Sequence, residues 1–159
     1  GRQHLDLRLG VDARVQQLIQ RARLHAQHGV PLGNQTLVNV VDSDGAYIGG
    51  VIAPGVNLSL EALHMAAAAL PHVDVARPAK AIGTNTVACM QSGVYWGYIG
   101  LVEVIVREVR RERDRPMKVI ATGGPASLFA QGTELFHSIE DDLTMHGLVL
   151  INAFNKDAP

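Results

Sequence analysis

Cysteine is almost missing from this sequence. Cys89 alone stands among 159 residues, which excludes an intrachain disulfide framework and fits a reducing compartment. Charge of one sign is lacking too: the formal net charge is −1, so no global field draws nucleic acid or an anionic membrane. Arginine gathers only at 107–115, where Glu108, Glu112 and Asp114 interrupt it. That mixture predicts a solvated helix end rather than a phosphate-binding patch. Nor is there a long unbroken apolar run. The stretch 87–106 carries Gln91, Ser92, Glu103 and glycines, which predicts a buried helix and not a membrane span. The first ten residues hold no apolar core of the length a secretory signal needs, so the cytoplasm is the expected location. Repeats, low-complexity segments, G-x-S-x-G, Walker loops and C-x-x-C pairs are all absent from the sequence.

What remains is an ordinary folded composition. Hydrophobic residues make up 47% and charged residues 18%, and the length suffices for one domain with a sizeable core. Val11, Val15, Leu18, Ile19 and Ala22 follow the spacing of an amphipathic helix over 10–28, which Gly29, Pro31 and Gly33 end. A β-branched strand is predicted over 36–41 and a second over 46–52. Asp44-Gly45 lies between them, so an antiparallel hairpin is expected. An alanine-rich helix follows over 58–70, with Asn57 or Ser59 near its start and Pro71 behind it. A long helix over 87–111, a strand over 118–121, a helix from Ala126 and a last helix within 141–156 complete an α/β pattern.

Three glycine turns carry the chemical signal. G-G-V-I-A-P-G at 49–55 closes a strand with a backbone that other groups can approach closely, although a plain structural corner reads the same way. T-G-G at 122–124 joins a strand to a helix, an arrangement that suits a phosphate or nucleotide, although a bare Gly-Gly turn is common and reads the same way. G-T-N-T at 83–86 either caps the long helix or offers hydroxyls and an amide to a polar ligand. Gly93, Gly97 and Gly100 share nearly one helical face, which predicts a backbone or ligand packed tightly against it. Cys89, in the run T-V-A-C-M, reads as a buried structural thiol, and His146 as a packed residue at the start of the last helix. His25 and His28 share a helical face without a third ligand, too few for a metal site.

In their order and spacing these segments resemble the type III pantothenate kinases of bacterial coenzyme A synthesis. The resemblance rests on V-V-D-S-D-G-A-Y-I-G-G-V-I-A-P-G, L-S-L-E-A-L, A-L-P-H-V, I-G-T-N-T-V-A-C-M-Q-S-G-V-Y-W-G-Y-I-G-L-V-E, V-I-A-T-G-G and D-D-L-T-M-H-G-L, within 39–155. It implies an α/β, actin-like ATPase (ribonuclease H-like) fold, of which 39–159 would be the C-terminal half of a duplicated fold. A divergent segment with one amphipathic helix, 1–38, would precede it. The implied reaction is ATP-dependent phosphorylation of pantothenate to 4'-phosphopantothenate, with Mg2+ and a monovalent cation (K+ or NH4+), in a homodimer. The resemblance places Thr86, Gly49, Gly50 and Gly55 at pantothenate, and Gly33, Thr36, Gly123 and Gly124 at ATP. Asp12 becomes the catalytic base, and no residue is assigned to a metal.

The front departs from the family pattern. Ala13 stands where the G-x-D-R motif has arginine, Pro31 takes the place of a cation-binding aspartate, and no D-x-G-N-T occurs. A second reading therefore stays open, a truncated or inactive relative acting as a binding or dimerisation module. A third is a regulatory partner of a full-length kinase.

Overall fold

The β-branched run Gln35–Val41 forms strand β1 and Tyr47–Pro54 forms β2, paired in a two-stranded sheet. This computed structural model describes residues 35–43, 45–66 and 70–156. The connection closes tightly: Asp42 N–H donates to the Ala46 carbonyl at 2.8 Å, Gly45 N–H donates back to the Asp42 carbonyl at 3.0 Å, and Gly45 has φ +86°. So short a link makes the pair antiparallel, as the Asp-Gly signal predicts. Strand β2 runs past its expected end at Ile52 to Pro54, where a residue without an N–H costs the ladder nothing.

Helix α1, Val56–Ala66, begins two residues earlier than its alanine content suggests, because the Gly55 carbonyl already accepts from Ser59 N–H at 3.0 Å. Helix α2, Thr86–Arg113, is the longest described element at 28 residues. Asn85 caps it, its side-chain oxygen accepting from Ala88 N–H at 2.9 Å. Asp114 ends it in the left-handed conformation at φ 47°, and Arg110, Arg111 and Arg113 occupy the last turn beside the negative end of the helix dipole. Arg107 and Arg111 pair with Glu108 at 3.6 and 2.7 Å on exposed surface, as a solvated helix end should, whereas Arg110 is half-buried and donates to the Met117 carbonyl at 2.8 Å.

From 70 to 85 the chain takes no regular structure, and side chains of α2 satisfy some of its carbonyls instead. Ser92 donates to Ala81, Cys89 to Gly83 at 3.4 Å and Gln91 to Asp74 at 3.5 Å. The short strands β3 (Ile120–Ala121) and β4 (Ser138–Ile139) pair in parallel, Ile120 opposite Ser138 and Ala121 opposite Ile139. The five-residue helix α3, Ala126–Ala130, lies between them in sequence, and α4, Leu143–Lys156, ends the described chain.

The described residues fall into two units, 35–38 with 52–140, and 39–51 with 141–156. The first holds most of the buried apolar side chains described, a stripe along α2 formed by Met90, Tyr95, Tyr98, Ile99 and Val106, with Val56 and Ala126, while Val40 is buried in the second. Tyr95 is fully enclosed and donates to the Leu128 carbonyl at 3.3 Å. Phe129 of α3 meets the rings of Tyr95 and Tyr98 at 5.7 and 5.8 Å. In the second unit α4 opens behind Asp141 and Asp142, with His146 N–H donating to the Asp142 carbonyl at 2.8 Å. The His146 side chain is exposed rather than packed. Among the described residues no helix is long and apolar enough to cross a membrane.

Candidate functional site

A cavity of about 680 Å³ lies where the end of β2, α1 and the first half of α2 meet. Its walls come from Pro54, Ser59 and Leu63 on one side and Thr86, Cys89, Gly93, Gly97 and Tyr98 on the other. The volume suits a small metabolite. The lining is apolar apart from the hydroxyls of Ser59, Thr86 and Tyr98 and the Cys89 thiol. Such walls accept a branched hydrocarbon while a few polar groups set its orientation.

Local sequence explains the placement of each polar group. Thr86 is the first residue of α2 and is exposed. Because Asn85 takes the capping role, the Thr86 hydroxyl is not needed for it. The capping reading of G-T-N-T thus holds at Asn85, and Thr86 lines the cavity. Tyr98 is buried and donates to the Pro54 carbonyl at 2.6 Å, with Ser59 Oγ 2.9 Å from the same phenol oxygen. These contacts fasten the end of β2 and the first turn of α1 to α2.

One expectation is corrected here, and a second is met by no backbone among the described residues. Cys89 is exposed at the cavity and not buried in the core. Its place on α2 turns it away from the Met90–Tyr95 stripe, which the run of apolar neighbours concealed. Among the described residues nothing packs against Gly93, Gly97 or Gly100: a methyl group added to any of them meets no heavy atom within 4 Å. Gly93 and Gly97 instead leave one wall of the cavity open to whatever enters it.

The other expected site residues are spread along the chain. Gly49, at φ +140°, and Gly50 lie within β2, and Gly55 is buried between β2 and α1. Thr36 is half-buried in β1. Gly123, at φ +95°, and Gly124 form the turn from β3 into α3, and open space stands over both. They do not line the cavity. Asp12 and Gly33, with Ala13, His25, His28, Pro31 and the helix predicted over 10–28, lie outside the described residues. Ser59 and Tyr98 are the site residues that sequence reasoning missed. Ser59 reads there as a residue near a helix start, and nothing in the string Y-W-G-Y marks its second tyrosine as the partner of a carbonyl 44 positions earlier.

A smaller cavity of about 270 Å³ lies on the other side of α1, bounded by Asn57, Glu61, His64, His72 and Met90. His64 Nδ1 donates to the Leu70 carbonyl at 2.8 Å, and its ring lies 3.6 Å from that of His72. Among the described residues no three His, Cys, Asp or Glu side chains are grouped so as to hold a metal ion.

Fold and site together define an α/β protein with a cavity of metabolite size between a long helix and a strand–helix corner. The sequence model of the type III pantothenate kinase family matches residues 5–108. The type III pantothenate kinase of Cereibacter sphaeroides is 77% identical over 128 residues, 80% of this chain and 50% of that protein. Its counterpart in Paracoccus denitrificans is 71% identical over 80% of the chain, and that of Ruegeria pomeroyi 63% over 88%. The chain belongs to the type III pantothenate kinase family. It spans about half the length of the curated relatives it matches. A solved structure described as a conserved Baf family transcriptional activator from Campylobacter jejuni superposes with a TM-score of 0.54. It is 19% identical, covers 79% of this chain and 56% of that one, and bears on the fold alone.

Proposed function

We propose that this chain acts in the ATP-dependent phosphorylation of pantothenate to 4'-phosphopantothenate, and that the cavity beside Thr86 takes the pantothenate. The observation that carries the reading is an apolar cavity with Thr86 on its wall, in a chain of this family. Pantothenate has a gem-dimethyl carbon flanked by hydroxyls, which matches apolar walls with a few hydroxyl groups. Gly49, Gly50 and Gly55 are assigned to the same substrate. The proposal includes an actin-like domain at 39–159, the C-terminal half of a duplicated fold, behind a divergent segment at 1–38.

In the proposed reaction the primary hydroxyl of pantothenate attacks the γ-phosphorus of ATP, the bond to the β-phosphate oxygen breaks, and ADP leaves. Asp12 takes the hydroxyl proton. Gly33, Thr36, Gly123 and Gly124 are assigned to ATP, and the open space over Gly123 and Gly124 leaves their backbone accessible to a phosphate. Mg2+ and K+ or NH4+ would balance phosphate charge. Among the described residues no cluster of three His, Cys, Asp or Glu side chains is placed to hold either ion. A cytoplasmic homodimer is part of the same reading.

Pro31 and Ala13 favour a second reading, a relative that binds pantothenate without turning it over. Assaying pantothenate-dependent ADP release from the purified chain separates the two. The catalytic reading expects release that falls at least tenfold in Thr86→Ala, the scale of one lost transition-state contact. Binding by calorimetry with no release above that variant favours the second reading.

A further inference from the structure

Ser59 meets the cavity as an acceptor only, and we infer that it accepts a hydrogen bond from a donor group of the bound substrate. The inference rests on the reading of the cavity as the pantothenate site. Its basis is the direction of a short relay. The Pro54 carbonyl has no hydrogen, so at 2.6 Å the Tyr98 hydroxyl must donate to it. A phenol has one hydrogen, and Tyr98 has spent it. Ser59 Oγ, 2.9 Å from the phenol oxygen, must therefore donate its own hydrogen to Tyr98. What Ser59 retains is lone-pair capacity, on a residue that lines the cavity together with Tyr98 and Pro54.

The relay is held in place. Tyr98 is 8% exposed, and Ser59 is fixed by its helical N–H bond to the Gly55 carbonyl at 3.0 Å. A hydroxyl that is free to rotate accepts or donates as its ligand requires, whereas this one is set before any ligand arrives. An acceptor fixed among apolar walls favours a ligand N–H or O–H and rejects a carbonyl or carboxylate oxygen, because two acceptors facing each other leave both unpaired. Besides the primary hydroxyl, whose proton the proposed reaction gives to Asp12, pantothenate offers two such donors near its dimethyl carbon, the secondary hydroxyl and the amide N–H. Ser59 thus fixes which way round the substrate lies, and it is a specificity residue distinct from Thr86.

The test measures affinity for three ligands by calorimetry on the full chain: pantothenate, its 2-deoxy analogue, and the ester in which oxygen replaces the amide N–H. The unchanged chain should bind one of the two analogues about tenfold more weakly than pantothenate, the scale of one hydrogen bond. Ser59→Ala should bind pantothenate about tenfold more weakly and lose discrimination against that analogue, while Ser59→Thr, which keeps the hydroxyl, retains it. A merely structural role for Ser59 would weaken all three ligands equally in Ser59→Ala, and that outcome overturns the inference. So does equal binding of all three by the unchanged chain, which decides the matter even if Ser59→Ala does not fold. If the unchanged chain binds no pantothenate, the cavity reading and the inference fall together. If it binds and Ser59→Ala binds as tightly, only the inference falls.

Discussion

Gly83 and Gly132 are glycine for reasons that differ in cost. A methyl group on Gly83 would overlap the backbone nitrogen of Cys89 and stand 2.6 Å from the Ala88 carbonyl carbon. Helical backbone cannot yield there, so Gly83→Ala must push the whole G-T-N-T turn off the start of α2. A methyl on Gly132 meets side chains instead, Ile99 Cδ1 at 2.5 Å and the Tyr95 hydroxyl at 2.7 Å. Those atoms can shift, at the roughly 1–3 kcal/mol typical of an overpacked core. Urea denaturation should therefore place Gly132→Ala below the unchanged chain by that amount and Gly83→Ala lower still. The reverse order would mean that the turn before α2 is loosely held. Asn85→Ala tests the cap directly. It should cost about 1 kcal/mol, and Asn85→Asp, which keeps the acceptor, should cost much less. The sequence made Gly83 visible as part of a motif, but only the packing of residues 95 and 99 gives Gly132 its role.

Among the elements, legibility followed local chemistry. The hairpin was readable because its turn is encoded where it occurs, at Asp44-Gly45 between two β-branched runs. The long helix was readable from its apolar run behind the G-T-N-T turn. Strands β3 and β4 are two residues each, too short for alternation to register, and their pairing joins residues 18 apart, Ile120 with Ser138. The expected strand over 118–121 is accordingly shorter than its apolar letters suggest. His137 contributes what those letters cannot show, its Nδ1 accepting from Val119 N–H at 3.1 Å while its own N–H donates to the Val119 carbonyl at 2.8 Å. His137→Ala should remove the side-chain half of this clasp. Amide exchange at Val119 should then quicken about fivefold to tenfold, the loss of one hydrogen bond near 1 kcal/mol. Unchanged exchange would show that the strand pair holds without it.

At the scale of the whole molecule, membership of the kinase family was written in the order of motifs along the chain. The cavity was not. Its walls bring Ser59 to Tyr98 across 39 residues and Pro54 to Tyr98 across 44, and contacts that distant leave no local pattern in a sequence. The resemblance singled out Thr86, and the fold adds Ser59, Tyr98, Gly93 and Gly97 around the same space. The proposed role of the cavity is most directly tested by titrating pantothenate into isotopically labelled chain and following backbone amide shifts. The largest shifts should fall on Ser59, Thr86, Gly93 and Gly97, and in Thr86→Ala the same shifts should need about tenfold more pantothenate. Shifts centred on His64 and His72 at the smaller cavity, or none at millimolar pantothenate, would contradict that role.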